Sequence, residues 1–380
     1  MEHAQKIETS LVETPSGEAA IPAPAADAAK PKNNFLMSDG FIALLAKLNI
    51  SLALTSYQSG KFYLLGRNPK GGLMIHARLF QKSMGLHVEG NTLLLATHYQ
   101  IQRFENFLAK GKVINNMHDA CYIPRTTYTT GMLDVHDIGQ LANGQIIFVN
   151  TLFNCLATTS PKDSFIPVWK PPFITKMTSE DRCHLNGLAM DKGRPCYVTA
   201  AAQTDVLDGW RAHRAGGGVV IDVRTNEVVC DGLSMPHSPR LYAGKLWVLN
   251  SGTGELGTVN LQNRKFEALA FCPGFLRGLS FYGKYAFVGM SKPRNKHFEG
   301  LSLDQKLTEA KLAPLCGIQV INIETGASSE WFNIDGAIGE VYDVAVLPGM
   351  RCPMSLGFAS DDIKGFLTHA ELDETVLAGP

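Results

Sequence analysis

Apolar and polar positions along this chain change over in short runs rather than in helical stripes. One exception lies near the start. Phe41, Leu44, Leu45 and Leu48 recur at i, i+3, i+4 and i+7 behind Ser38 and Asp39. That spacing predicts an amphipathic helix of about three turns, packed on a neighbouring sheet or plugging one end of a channel. Beyond it, β-branched and aromatic runs are divided by Gly, Asn, Asp and Pro, the punctuation of strands and turns.

Stacking these runs exposes a repeat. An inner segment ending in a glycine turn recurs as Met84-Gly-Leu-His-Val-Glu-Gly90, His136-Asp-Ile-Gly-Gln-Leu-Ala-Asn-Gly144, Asn186-Gly-Leu-Ala-Met-Asp-Lys-Gly193, Ser238-Pro-Arg-Leu-Tyr-Ala-Gly244, Arg277-Gly-Leu-Ser-Phe-Tyr-Gly283 and Tyr342-Asp-Val-Ala-Val-Leu-Pro-Gly349. A second strand follows each of the first five, starting at residues 92, 145, 195, 245 and 284, so the steps are 53, 50, 50 and 39 residues. Such a period suits one four-stranded propeller blade per repeat. The last inner segment lacks a following strand, and the missing strands stand at the other end of the chain, at Ser51–Tyr57, Lys61–Leu65 and Leu73–Phe80. The pattern therefore predicts an all-β, six-bladed β-propeller closed by N- and C-terminal strands, with a short N-terminal helix. Closing the ring in this way removes an open sheet edge. A β-sandwich or two smaller β domains compete with this arrangement, and Met354–Phe358 reads as one further short strand.

Residues 1–34 are rich in Ala and Pro and read as a disordered leader, residues 35–360 as the propeller and residues 361–380 as a tail. Lys plus Arg and Asp plus Glu both number 35, so no net charge draws the chain to nucleic acid or to an anionic membrane. No apolar run has the length of a membrane span or a signal peptide. The 8 cysteines are scattered without a CxxC pair, which predicts reduced, buried thiols in a cytoplasmic protein.

Candidate chemistry lies where the inner segments begin, because those starts converge at one end of a propeller channel. The aligned position holds Met84, His136, Asn186, Ser238, Arg277 and Tyr342, with His184 and His237 close by and Asp137 and Asp343 one place later. His136, His184 and His237 are the candidate ligands of a divalent metal (Zn, Mn, Fe or Ca), since three imidazoles and a water leave an open catalytic position. Asp137 and Asp343 are candidates to orient a histidine or act as general base, with Glu340 a further carboxylate able to complete the shell. Arg240 and Arg277, with Arg125, Arg182 and Arg294 nearby, are candidates to hold an anion through paired hydrogen bonds. Salt bridges and loop hydrogen bonds are the competing use of the same side chains. Trp169 reads as a sugar-stacking ring or a hydrophobic lid, and the glycine-rich segment 208–218 as a rim carrying Trp210, Arg211 and His213. No GxSxG or HExxH motif occurs.

The segments Asp134-Val-His-Asp137, Arg182-Cys-His-Leu-Asn-Gly187, Met235-Pro-His-Ser-Pro-Arg240 and Phe275-Leu-Arg-Gly-Leu279 resemble those of a bacterial family of conserved hypothetical propeller proteins, over most of residues 35–360. The resemblance implies a fold and no activity. His184-Leu-Asn-Gly187 is also weakly similar to strand starts of the gluconolactonase, regucalcin and strictosidine-synthase-like propellers. In gluconolactonase and regucalcin a Glu, an Asn and an Asp bind a divalent metal. Asn186 matches that Asn, while histidines stand where the other ligands would be sought. Uronate lyases with histidines around a metal offer a fold-level analogy. The expectation is a metal-dependent lyase, lactonase or isomerase acting on an anionic small molecule or acidic sugar, without nucleic-acid or membrane partners. The alternative is a non-catalytic propeller platform that binds a ligand or protein.

Overall fold

The computed structural model describes residues 33–370 apart from 296, 299, 359 and 360. The expected disordered leader lies outside the described residues up to residue 32, as does the expected tail from 371 onward. Six sheets make the six blades of a β-propeller. The first blade runs outward through Leu86–Glu89, Thr92–Ala96, Gln100–Asn106 and Ala120–Thr129, and the second through Val135–Gln140, Ile146–Asn150, Cys155–Thr158 and Ile166–Trp169. The third uses Leu185–Asp191, Arg194–Ala200, Gly218–Asp222 and Val228–Leu233, and the fourth Pro236–Tyr242, Lys245–Asn250, Glu255–Asn260 and Lys265–Phe271. The fifth comprises Phe275–Tyr282, Tyr285–Ser291, Gly317–Asn322 and Ser328–Asp335. In the sixth, the inner strand Asp343–Pro348 pairs with Ile50–Ser56, which continues through Lys61–Arg67 to Leu73–Leu79. The ring is therefore closed by strands from both ends of the chain, as the repeat implied.

Second strands read as unbroken apolar runs because both faces are buried against neighbouring blades. In Thr92–Ala96, Leu93 and Leu95 pack toward the sixth blade while Leu94 and Ala96 pack toward the second. The same period of two places Ile147 and Val149 against the third blade and Phe148 against the first. Equivalent clusters fill the other seams. All eight cysteines are buried and unpaired, as the scatter predicted.

The N-terminal helix Phe41–Leu48 is shorter than expected, about two turns. Asn49 ends it in the left-handed conformation at φ 51°, one that Asn tolerates better than most residues. It plugs no channel. Phe41, Leu44 and Leu45 sit over the seam between the fifth and sixth blades, with Phe41 stacked on Phe332 at 5.7 Å. Strand Asn34–Met37 pairs with Ser328–Asp335 just before it, a second clasp at the same seam. The short strand after Met350, at Pro353–Ser355, does not join a blade in series. It lies parallel to the outer strand of the first blade, and Ile363 and Phe366 of the following turn pack against the same blade. A second helix, Leu303–Ala310, which the spacing had not marked, rises from the long loop of the fifth blade and is pinned by Leu303, Leu307 and Phe298. Among the described residues no helix is long and apolar enough to cross a membrane.

Candidate functional site

The starts of the inner strands converge at one mouth of the channel. Lys82, Asp134, His184, Met235, Phe275 and Glu340 share one aligned position, and Met84, His136, Arg277 and Tyr342 stand two residues later. These ten border one open cavity of about 490 Å³. Lys82, Asp134, His184 and Met235 all have positive φ, between 49° and 54°, where non-glycine residues are uncommon. Each strand leaves its loop near that kink, and the side chain that follows it in the second and third blades, Val135 and Leu185, packs into the apolar seam, while Met84 and His136 two places beyond Lys82 and Asp134 border the cavity. Gly278, one place after Arg277, has φ 71° as Ser238, one place after His237, has 48°, and a Cβ at Gly278 would lie 2.5 Å from the Val344 amide nitrogen of the sixth blade.

Each histidine of the site is held through Nδ1. In His136 that nitrogen lies 2.8 Å from the Asp134 carbonyl and 2.7 Å from Thr151 Oγ1, whose own proton goes to the Leu185 carbonyl. In His184 it lies 2.7 Å from Asp181 Oδ2. Both acceptors place the proton on Nδ1 and leave the Nε2 lone pair uncommitted among the described residues. Burial, reinforced by the nearby His184 and Arg277, holds His136 well below the usual imidazole range, so it is neutral. The two rings meet edge to face at 4.8 Å, and Trp210 stacks on the far side of His184 at 4.2 Å.

His237 repeats the arrangement of His136, with Nδ1 2.8 Å from the Met235 carbonyl and 3.1 Å from Ser251 Oγ. This corrects the alignment, since His237 rather than Ser238 corresponds to His136. Pairing of Pro236–Tyr242 with the next strand slips by one residue between His237 and Arg240, so counting back from Gly244 lands one place off. His237 is buried behind the cavity, and its Nε2 faces Asn186 Nδ2 at 3.4 Å. The structure thus brings His136 and His184 together at the cavity and sets His237 and Asn186 aside as a hydrogen-bonded pair. Among the described residues no three His, Cys, Asp or Glu side chains are grouped to hold a metal ion.

The remaining candidates divide in the same way. Arg277 borders the cavity between two rings, 5.4 Å from Phe275 and 4.9 Å from Tyr342. Arg240 lies deeper and is spent on structure. It pairs with Asp137 at 2.7 Å and donates to the carbonyls of Leu188 and Leu279, tying the second, third, fourth and fifth blades. Asp137 also accepts the Leu188 amide, and Asp343 accepts the Leu86 amide, each fastening its blade to the next. Neither Asp137 and Asp343, expected to orient a histidine or act as general base, nor Arg240, expected to hold an anion, borders the cavity. Arg182 is paired with Glu180 and Asp205, and Arg125 bonds Thr368 at the outer edge. Trp169, on the outermost strand of its blade, donates to Asn226 and packs on the apolar seam. Of the rim residues, Trp210 and Arg211 border the cavity and His213 does not.

Basic groups dominate the lining: Lys82, Arg211, Arg214, Arg277, Lys292 and Arg294 against Asp134, Asp181 and Glu340. Lys82 is neutralised by Asp134, Arg211 by Asp208 and Lys292 by Asp335. Arg277 and Arg294 make no hydrogen bond or ion pair among the described residues and lie over aromatic rings instead, Arg294 over Tyr57 at 5.1 Å. Four buried polar atoms on the wall also lack a partner there: Tyr342 OH, Glu340 Oε1, Asp181 Oδ1 and Trp210 Nε1. Tyr57, Gln58 and, after the second strand of the fifth blade, Pro293, Asn295, His297, Phe298 and Leu301 also line the wall. Apart from Arg294 beside them, the repeat did not single these out, because they come from loops after second strands.

Residues 39–356 match a family described as a domain of unknown function, DUF4915. No curated protein matches the chain. Among solved structures, a nidogen/laminin complex aligns with a TM-score of 0.46 and 11% identity, covering 79% of this chain and 99% of that one. A streptogramin B lyase aligns at 0.38 and 10% identity, covering 75% of this chain and 76% of its own. A catalytically inactive virginiamycin B lyase from Staphylococcus aureus with quinupristin aligns at 0.38 and 11% identity, covering 80% and 99%.

Proposed function

We propose that this chain, which belongs to the DUF4915 family, binds a small anionic molecule at the mouth of its channel and moves a proton on it, in chemistry of the lyase or isomerase type. One observation carries the reading. Arg277 is a guanidinium set on the cavity wall between Phe275 and Tyr342, with no carboxylate or hydrogen-bond acceptor of its own among the described residues. A planar fork held by rings and unpaired among the described residues suits a carboxylate or sulfate. Beside it stand two imidazoles with uncommitted Nε2 lone pairs. Asp181 keeps His184 in the tautomer a proton acceptor needs and would stabilise the imidazolium that forms. A sugar acid fits the aromatic walls as well as the charge.

A divalent cation on His136 and His184 is the second reading, favoured by the Asp181 carboxylate behind His184, a common support for metal-binding histidines. The donor set fits it less well. His237 is turned to Asn186, and Arg277 raises the positive potential at both His136 and His237. No step is therefore routed through a metal.

Titration calorimetry with malonate and with galacturonate tests the reading. Arg277→Met is expected to weaken binding at least about tenfold, the scale of a lost charge-assisted pair. Equal binding by the variant, or no binding of either acid by the wild type, removes it. The cation reading predicts instead a thermal shift with Mn²⁺ or Zn²⁺ that disappears in His136→Ala. Binding of acids without any turnover of uronate oligomers or 2-hydroxy acids would leave the non-catalytic platform.

A further inference from the structure

We infer that Glu340 is the proton carrier of this cavity, and that an anion settling on Arg277 brings a proton onto it. The inference rests on the preceding reading of Arg277 as the anchor. Glu340 stands two residues before Tyr342 and is 4% exposed. Its Oε2 is accounted for, accepting from the Gln58 amide at 3.1 Å and from Ser56 Oγ at 3.5 Å. Its Oε1 is buried on the cavity wall with no partner among the described residues.

The groups facing it come from every neighbouring element. Arg277 belongs to the fifth blade and Arg294 to the loop beyond it, Tyr342 follows on the same chain segment, and Cys316 lies behind. None of them donates to Oε1. A carboxylate with one bare oxygen is costly to bury, whereas the acid can direct its O–H into the cavity. Burial accordingly pushes the group up to about 7 against the pull of both guanidiniums. An incoming anion takes the same Arg277 charge that steadies ionised Glu340. The two negative charges compete, and Glu340 responds by taking a proton.

This supplies the half of the chemistry that the histidines lack. In an elimination, His184 Nε2 removes a C–H proton beside the held carboxylate and that electron pair becomes the new double bond. The C–O bond to the leaving group breaks, and its oxygen takes the Glu340 proton. Water then takes a proton from His184 and returns one to Glu340, so the balance is neutral over the cycle.

Calorimetry of the full chain with malonate, at about pH 7.5 in two amine buffers of different ionisation enthalpy, reads the proton directly. Wild type is expected to take up roughly three-quarters of a proton per malonate, and Glu340→Gln close to none. Binding that depends on Arg277 but carries no uptake, or uptake retained in Glu340→Gln, overturns the Glu340 inference alone. Binding that ignores Arg277→Met overturns the reading beneath it. Should Glu340→Gln fail to fold, the wild-type profile decides, since malonate affinity must weaken about tenfold from pH 6 to pH 8. A flat profile removes the inference.

Discussion

His136 and His184 meet with ring centroids 4.8 Å apart and planes at 83°, although each belongs to a different blade. Trp210 closes the stack on the other face of His184, and Arg211 lies 4.5 Å over Trp210. A loop, two strand starts and a rim arginine are thus joined in one column beside Arg277.

That column predicts an optical signature. His184→Asn keeps a residue that tolerates the left-handed backbone at φ 52° and removes the ring. Trp210 then loses its stacking partner, so its emission should shift to the red and acrylamide quenching should rise. The loss of the ring pair costs about 1 kcal/mol, read by urea denaturation. Unchanged quenching would mean that Trp210 is not held there.

Arg240 and Arg277 should separate cleanly. Arg240→Met strands the buried Asp137, and breaking such a pair costs about 3–5 kcal/mol, measured as a fall in the denaturation midpoint. Malonate affinity of the protein that remains folded should change by less than about twofold, since Arg240 does not border the cavity. A tenfold loss of affinity with little loss of stability would return Arg240 to the substrate side.

The two buried carboxyls contribute to the pH dependence of stability with a definite sign. Glu340 and Asp343 are each raised by burial to about 7, well above their ordinary values of 4.5 and 3.8. Between those limits the folded chain keeps protons that the unfolded chain has released. The two carboxyls therefore subtract stability as pH rises through that window and level off above about pH 7, whereas His76, His87, His136 and His237, held low by burial, add stability as pH rises to the ordinary imidazole range. The carboxyl contribution is read as a difference. The melting temperature of Glu340→Gln relative to wild type should rise between about pH 5 and pH 8, and the variant should exceed wild type at the alkaline end. A difference that stays flat across the window would contradict the burial of Glu340.

The blades were legible for a simple reason. A strand buried on both faces, such as Thr92–Ala96 or Ile146–Asn150, must be apolar through its middle, with polar Thr92 and Asn150 only at an end, and the glycine turn before it must be tight. Those demands act residue by residue along the chain. Glu340 and Arg294 were noticed in the sequence, yet nothing local distinguished Glu340 from a surface carboxylate. Its oxygen is left bare by the packing of three separate segments.

Local constraint explains where the division falls. The order of apolar runs and turns determined the blade count, the closing of the ring by both termini, the single N-terminal helix and the burial of the cysteines. It also determined that histidines and arginines gather at strand starts. Only the tertiary structure decided which of them meet. A one-residue slip between His237 and Arg240 and the kinks at Asp134 and His184 set the facing of each side chain, and the strand across the seam settles whether its hydrogen bonds are already taken. A repeat fixes spacing along the chain, whereas the direction of a side chain about the channel axis depends on neighbours hundreds of residues away.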